Sequence, residues 1–244
     1  MTANGLVAIG FDFDHTLGVD HALERDAFFK LAEELGEPIA ADDVAHKAQV
    51  DTLLADFRVG TITLDDAVKR FVASMHDVHV TDRDDTQWFR EICYGLIPSH
   101  VQPLPGVRDV LDHLNEVGIP HAVLTNGWSP LQEKKIAAVG YDGPALVSDL
   151  IGAAKPSGRA FSRLVETLGV PPDAVWYVGD NPVADVAGAL SAGLRAVWVD
   201  HGELAYPQNQ PPPSLRITDL RELIGRFPRR EGGPGPVAAV EKRG

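Results

Sequence analysis

The strongest constraint on this chain is the alternation of short apolar runs with longer amphipathic patterns. Leu6 to Phe11 is almost continuously apolar, as a strand buried on both faces of a parallel sheet must be. Comparable runs recur at His121 to Thr125, Ala145 to Val147, Ala174 to Val178 and Arg195 to Val199. Helical patterns separate the later runs. Between Pro105 and Gly118, residues Val107, Val110, Leu111 and Leu114 share one face. Ser129-Pro130-Leu131-Gln132 reads as a capping box with proline at the first helical position, and Gly140 ends that helix. Ser157 caps a third helix that Gly169 closes, and Asn181-Pro182 opens a fourth that ends near Gly193. Strand–helix alternation of this kind predicts an α/β fold, a parallel sheet with helices on both faces.

One stretch breaks the rhythm. From the first strand to Pro103 there is no convincing strand, only helical patterns around Leu23 to Leu35, Asp42 to Arg58, Leu64 to Met75 and Asp84 to Leu96. The expected organisation is an α/β core from 1–17 and 101–227, a small all-helical cap at 18–100, and a flexible Pro/Gly-rich tail at 228–244. Ligands of open parallel sheets bind beyond the carboxyl ends of the strands. The helical insert follows the first strand, so it is placed to cover whatever that strand presents.

What the strand ends present is acidic. Asp12 and Asp14 close the first strand with a spacing of two, which points both side chains the same way. Two carboxylates ~4 Å apart repel by ~4 kcal/mol at an effective dielectric of 20, an arrangement that a hard divalent cation relieves. Thr125 and Asn126 end the second strand, Lys155 lies in the loop after the third, Asp180 ends the fourth, and Asp185 follows about one helical turn later. Taken singly, each has a plainer reading. Thr125 and Asn126 suit a turn, Lys155 a solvated surface, and Asp180 and Asn181 a helix cap.

Together they resemble the haloacid-dehalogenase superfamily of hydrolases, most of them phosphatases. Four motifs match in order: Asp12-Phe13-Asp14-His15-Thr16-Leu17, Leu124-Thr125-Asn126-Gly127, Lys155-Pro156, and Gly179-Asp180-Asn181-Pro182-Val183-Ala184-Asp185. The resemblance runs to about Phe227 and includes a cap at the family's first cap position. It implies a Rossmann-like core and a Mg²⁺-dependent phosphoric monoester hydrolase. Asp12 is then the nucleophile that forms an aspartyl-phosphate, and Asp14 the acid and base. Thr125, Asn126 and Lys155 bind the phosphoryl group. Mg²⁺ is held by the Asp12 carboxylate, the Asp14 backbone carbonyl and Asp180, with Asp185 behind them orienting Lys155 or metal-bound water. His15 departs from the family's usual small residue.

The expected substrate is a small soluble phosphomonoester, and the Thr-Asn-Gly form, similar to that of some nucleotidases and sugar-phosphate phosphatases, hints at a nucleotide or sugar phosphate. A dehalogenase is disfavoured because those enzymes lack the second aspartate. A phosphomutase sharing all four motifs and a non-catalytic module binding a phosphorylated ligand are the alternatives. A net charge of −13 argues against nucleic acid as a partner. A single cysteine, Cys93, with no basic leader and no apolar stretch long enough to span a bilayer, makes a cytoplasmic protein the expectation. Within the insert, His76-Asp77-Val78-His79 has ligand-like spacing but lies far in sequence from the motifs. Trp88 and Phe89 read as cap core, Trp128 as a staple for the next helix, and Arg25, Arg58, Lys69 and Arg90 as unranked candidates for a second anionic group.

Overall fold

The computed structural model of the chain describes residues 7–20, 22–40, 42–58, 60–75, 83–202 and 205–227. The tail expected at 228–244 and the His76-Asp77-Val78-His79 pattern lie outside them. In chain order the elements are β1 (Ala8–Phe11), β2 (Gly18–Val19), α1 (Leu23–Glu34), α2 (Val44–Arg58), α3 (Leu64–Ala73), α4 (Asp85–His100) and β3 (Gln102–Pro103). Then follow α5 (Val107–Val117), β4 (His121–Thr125), α6 (Leu131–Ala138), β5 (Ala145–Val147), α7 (Ser148–Ile151) and α8 (Gly158–Leu168). β6 (Val175–Gly179), α9 (Gly188–Ser191), β7 (Arg195–Val199) and β8 (Leu215–Ile217) complete the series.

β1 is buried at every position, because it sits near the centre of a six-stranded sheet of order β5-β4-β1-β6-β7-β8. Every pairing in that sheet is parallel. The two-residue period of the strands divides the core in two. Ile9, Phe11, Val123, Val178 and Val197 pack with α5 and the insert, while Ala8, Leu124, Val175, Tyr177 and Ala196 pack with Phe161 and Leu164 of α8. A Cβ at Gly10 would run into Leu164 and Tyr177, so the second face of β1 has room only for glycine there. After β1 the chain builds β4 and β5 on one side, then β6, β7 and β8 on the other. The strand order reverses at β1, which opens a crevice beyond its carboxyl end.

The helix ends expected from the sequence follow local chemistry with two exceptions. Gly118 and Gly169 adopt φ of 71° and 67° at the ends of α5 and α8, and the Ser157 hydroxyl accepts from the Arg159 N–H. The capping box expected at Ser129 does not form. α6 begins at Leu131, and the Ser129 hydroxyl donates to the Glu133 carboxylate instead of accepting from the backbone. Asn181 does cap the next helix, accepting from the Val183 and Ala184 N–H groups, but its first turn, Pro182–Ala187, is π-helical before α9. Such wide turns concentrate at functional sites. β8 is followed by a 3₁₀ segment, Leu220–Arg226.

The insert is built on α1 to α4. Phe28, Phe71 and Phe89 are fully buried in it, with ring centroids 4.8 Å and 4.4 Å from Phe28. Phe89 is core as expected, and Trp88 packs against that core half-buried, beneath the Arg83 guanidinium. The expectation of no strand in this region is corrected by a two-residue ribbon. Gly18 pairs with Pro103 and Val19 with Gln102, antiparallel, where the chain enters and leaves the insert. Two residues are too few to carry an alternating pattern. Among the described residues no helix is long and apolar enough to cross a membrane.

Candidate active site

Asp12 is the first residue past β1, and its N–H donates to the Val178 carbonyl at 2.8 Å, which continues the β1–β6 ladder. The sheet therefore fixes its backbone. The next turn is tight: Thr16, Leu17 and Gly18 all donate to the Phe13 carbonyl. His15 has φ 57°, in the left-handed region where a residue without a Cβ is unstrained. Its backbone is held there by two contacts, its own N–H donating to the Gly18 carbonyl and His201 Nε2 donating to its carbonyl, each at 2.7 Å.

Lys155 meets Asp12 from the loop after α7. Its Nζ lies 2.7 Å from Asp12 Oδ1 and 2.7 Å from Asp185 Oδ1, and all three side chains are largely buried. Asn126 fixes that loop: its Nδ2 donates to the Lys155 carbonyl at 3.0 Å and its Oδ1 accepts from the Lys155 N–H at 2.8 Å. The Asn126 side chain is thus spent on Lys155, so any contact of residue 126 with a phosphate falls to its backbone. Asp185 is engaged through both oxygens, the second accepting from the Asn181 N–H at 2.9 Å. A Cβ at position 179 would collide with the Asp185 carboxylate, which explains Gly179 before Asp180. Thr125 is buried at the end of β4 and lines the same cavity.

Asp12, Asp180 and Asp185 each offer a carboxylate oxygen within 4.8 Å of the other two. Three carboxylates crowd together while one ammonium bridges two of them, Asp12 and Asp185, and the charge balance is felt. Burial pushes Asp12 up to about 7 although the Lys155 charge opposes it. Burial, with the Asp12 charge adding to it, pushes Asp180 up to about 6. Burial also raises Asp185. Burial works against the Lys155 ammonium, but Asp12 and Asp185 outweigh it and hold it well above its usual range. A hard divalent cation beside Asp12 and Asp180 would neutralise this excess.

Asp14 turns elsewhere. Its Oδ1 is 2.5 Å from Lys135 Nζ and its Oδ2 accepts from Gln132 Nε2 at 3.0 Å, both from α6. The two aspartates therefore do not share one partner, as a simple reading of their spacing suggests, because β1 ends at Phe11 and the Phe13 turn intervenes. Both still line one cavity of about 670 Å³. Its walls include Thr125, Lys155 and Asp180 from the core and Glu24, Phe57 and Arg58 from the insert. Arg58 pairs with Glu24 at 3.0 Å, and the other Glu24 oxygen accepts from Trp128 Nε1 at 3.0 Å. Trp128 thereby ties core to insert. Of the four cationic candidates, Arg58 reaches this cavity. Arg25 is paired with Asp51, Lys69 with Asp65, and Arg90 lies over the Trp128 ring.

The family profile described as haloacid dehalogenase-like hydrolase matches residues 6–193. The chain belongs to the haloacid dehalogenase-like hydrolases. Within that family it is 42% identical over 123 residues to a phosphoserine phosphatase of Thermus thermophilus, a match spanning 49% of each chain. It is 27% identical over 213 residues to a glyceraldehyde 3-phosphate phosphatase of Methanopyrus kandleri, covering 84% of this chain and 83% of that one. The fold is that of the hydrolase YfnB from Bacillus subtilis, solved with bound magnesium, with a TM-score of 0.70 at 24% identity over 91% of this chain and 98% of that one.

Lys135, Gln132, Asp20 and Glu24 were not expected at the site. A signal for Lys135 did exist: it falls one turn after Leu131 on the buried face of α6, where an apolar residue belongs. Asp20 and Glu24 lie around the start of α1 and carry no such signal.

Proposed function

We propose that this hydrolase is a Mg²⁺-dependent phosphatase of small soluble phosphomonoesters that works through an aspartyl-phosphate. The observation that carries the reading is a buried Asp12 ion-paired to Lys155 and crowded by Asp180 at the floor of the cavity. The donor set is all oxygen and in charge excess, which suits Mg²⁺ held by the Asp12 and Asp180 carboxylates and the Asp14 carbonyl. When bound, the ion supplies positive charge to the phosphoryl oxygens. A free Asp12 oxygen attacks phosphorus as the bond to the ester oxygen breaks, and Asp14 delivers a proton to that departing oxygen. Asp14 then takes a proton from water, which attacks phosphorus, releases inorganic phosphate and restores Asp12. Lys155 and Thr125 hold the phosphoryl group, and Asp185 holds Lys155. Relatives named as acting on phosphoserine, glyceraldehyde 3-phosphate and pyrimidine nucleotides support the ester class, with nucleotides and sugar phosphates the first to be screened.

The test is phosphate release from an aryl phosphate and a metabolite panel, with Mg²⁺ or with EDTA. Release that requires the metal supports the reading. Absence of release from every ester, with the protein folded, sinks it.

A further inference from the structure

α6 carries a lysine at a core-facing position. Leu131, Gln132, Lys135 and Ile136 form its buried face, and the Lys135 side chain is 2% exposed. A buried ammonium is tolerated only when paired. Here Nζ lies 2.5 Å from Asp14 Oδ1 and 2.9 Å from Asp20 Oδ2, and 5.3 Å from the centroid of the Phe13 ring. Burial opposes its charge, but Asp14 and Asp20 outweigh that and hold Lys135 protonated. The remaining Asp14 oxygen accepts from Gln132 Nε2, which also donates to the Asn126 carbonyl at 3.1 Å. Two acceptors claim that nitrogen while Gln132 Oε1 is buried without a partner, so the amide has one useful orientation. Both oxygens of Asp14 are therefore held by one helix. Asp14, Asp20 and Gln132 line the cavity and Lys135 does not, so Lys135 acts on a bound ester through its aspartate partners rather than by touching it.

We infer that Lys135, with Gln132, is a positioning residue that aims the Asp14 carboxylate for its two proton transfers, and that Asp20 keeps Lys135 paired while Asp14 is engaged. The inference rests on the phosphatase reading. A general acid must lie within hydrogen-bond reach of the oxygen it protonates, and a carboxylate held at both oxygens has lost its rotational freedom before the ester arrives.

Leaving-group dependence tests it. An alkyl phosphate such as glycerol phosphate needs its oxygen protonated as the bond breaks, whereas 4-nitrophenolate departs without help. Lys135→Met keeps the length and removes the charge. It should lower kcat/KM on the alkyl ester by roughly 100-fold, the low end of what a positioned acid contributes. The pre-steady-state nitrophenolate burst should keep its rate within a few-fold while steady turnover slows, because hydrolysis of the phosphoenzyme needs Asp14 as base. Equal losses of kcat/KM on the two esters, or no loss on either, would overturn the inference. Should the single variant fail to fold, Lys135→Met with Asp20→Asn removes the cation together with one of its two anions and carries the same expectations. Wild-type protein that releases phosphate from neither ester with Mg²⁺ present defeats the phosphatase reading instead, so the two failures are told apart.

Discussion

The sheet end and the helical insert that faces it handle charge in opposite ways. At the sheet end, Lys155 and Lys135 are each 2% exposed and each bridges two aspartates. In the insert, Arg25–Asp51 and Lys69–Asp65 lie in solvent, with side chains 34% to 69% exposed. Exposed pairs are worth at most about 1 kcal/mol and can be exchanged freely. Buried ones cannot lose one member without stranding the other. The core thus sets what is hard to change on the cavity floor, whereas the insert keeps these easily changed pairs off the cavity and lends its wall Arg58, paired with Glu24.

The comparison can be broken by substitution on either wall. Asp12→Asn should lower kcat on the order of 10⁴-fold or more, as loss of a nucleophile does, with circular dichroism showing the fold intact. Near-normal turnover would remove Asp12 as nucleophile. Lys155→Met should reduce kcat by roughly 10³-fold, as loss of a charged phosphoryl-binding group does. It should also lower stability by about 3 kcal/mol in urea titrations by stranding Asp12 and Asp185.

Metal and pH come next. Asp12 at about 7 and Asp180 at about 6 both lie above their unfolded value of 3.8, so the metal-free fold binds more protons than the unfolded chain. Its stability contribution from these groups is present below pH ~4 and is lost as pH rises towards 7. In EDTA the Tm should fall across that window, and Asp180→Asn should flatten the fall. Mg²⁺ fixed at about 100 times its pH 8 Kd should restore roughly 2.7 kcal/mol at pH 8 and less at pH 5. A Tm in EDTA that rises between pH 5 and 7 in the wild type but not in Asp180→Asn would contradict the charge excess.

The insert should respond less. Arg58→Ala is expected to raise KM for the preferred ester about tenfold, roughly 1.4 kcal/mol, with kcat changed much less. Arg25→Ala should leave kinetics alone and shift stability by no more than about 0.5 kcal/mol. If Arg25→Ala disturbed turnover as much as Arg58→Ala, the insert would not divide its cations as the cavity does.

The sheet and its order of elements were legible because burial on both faces leaves a continuous apolar run, and because Gly118, Gly169 and Ser157 punctuate helices by conformational necessity. The residues that end strands were legible for the same reason. Lys135 was legible only as a charge out of place on the buried face of α6; what it serves stays hidden until the partner across the fold, 121 positions away, is seen. The role of the Asn126 side chain in fixing the Lys155 loop was hidden likewise, being a contact between two loops. The β2–β3 ribbon is too short to leave a pattern, and the π-helical turn after Asn181 begins with the same cap as an ordinary helix.

That ribbon has a consequence for how such a chain can diversify. Because Gly18 meets Pro103 and Val19 meets Gln102, the helical segment departs from and returns to a single point on the core. A segment of any length that begins and ends side by side can be exchanged there without moving a strand of the sheet. The Glu24–Trp128 hydrogen bond then becomes the seam that a transplanted segment must rebuild. The ribbon works as a socket into which a different helical wall for the cavity can be set.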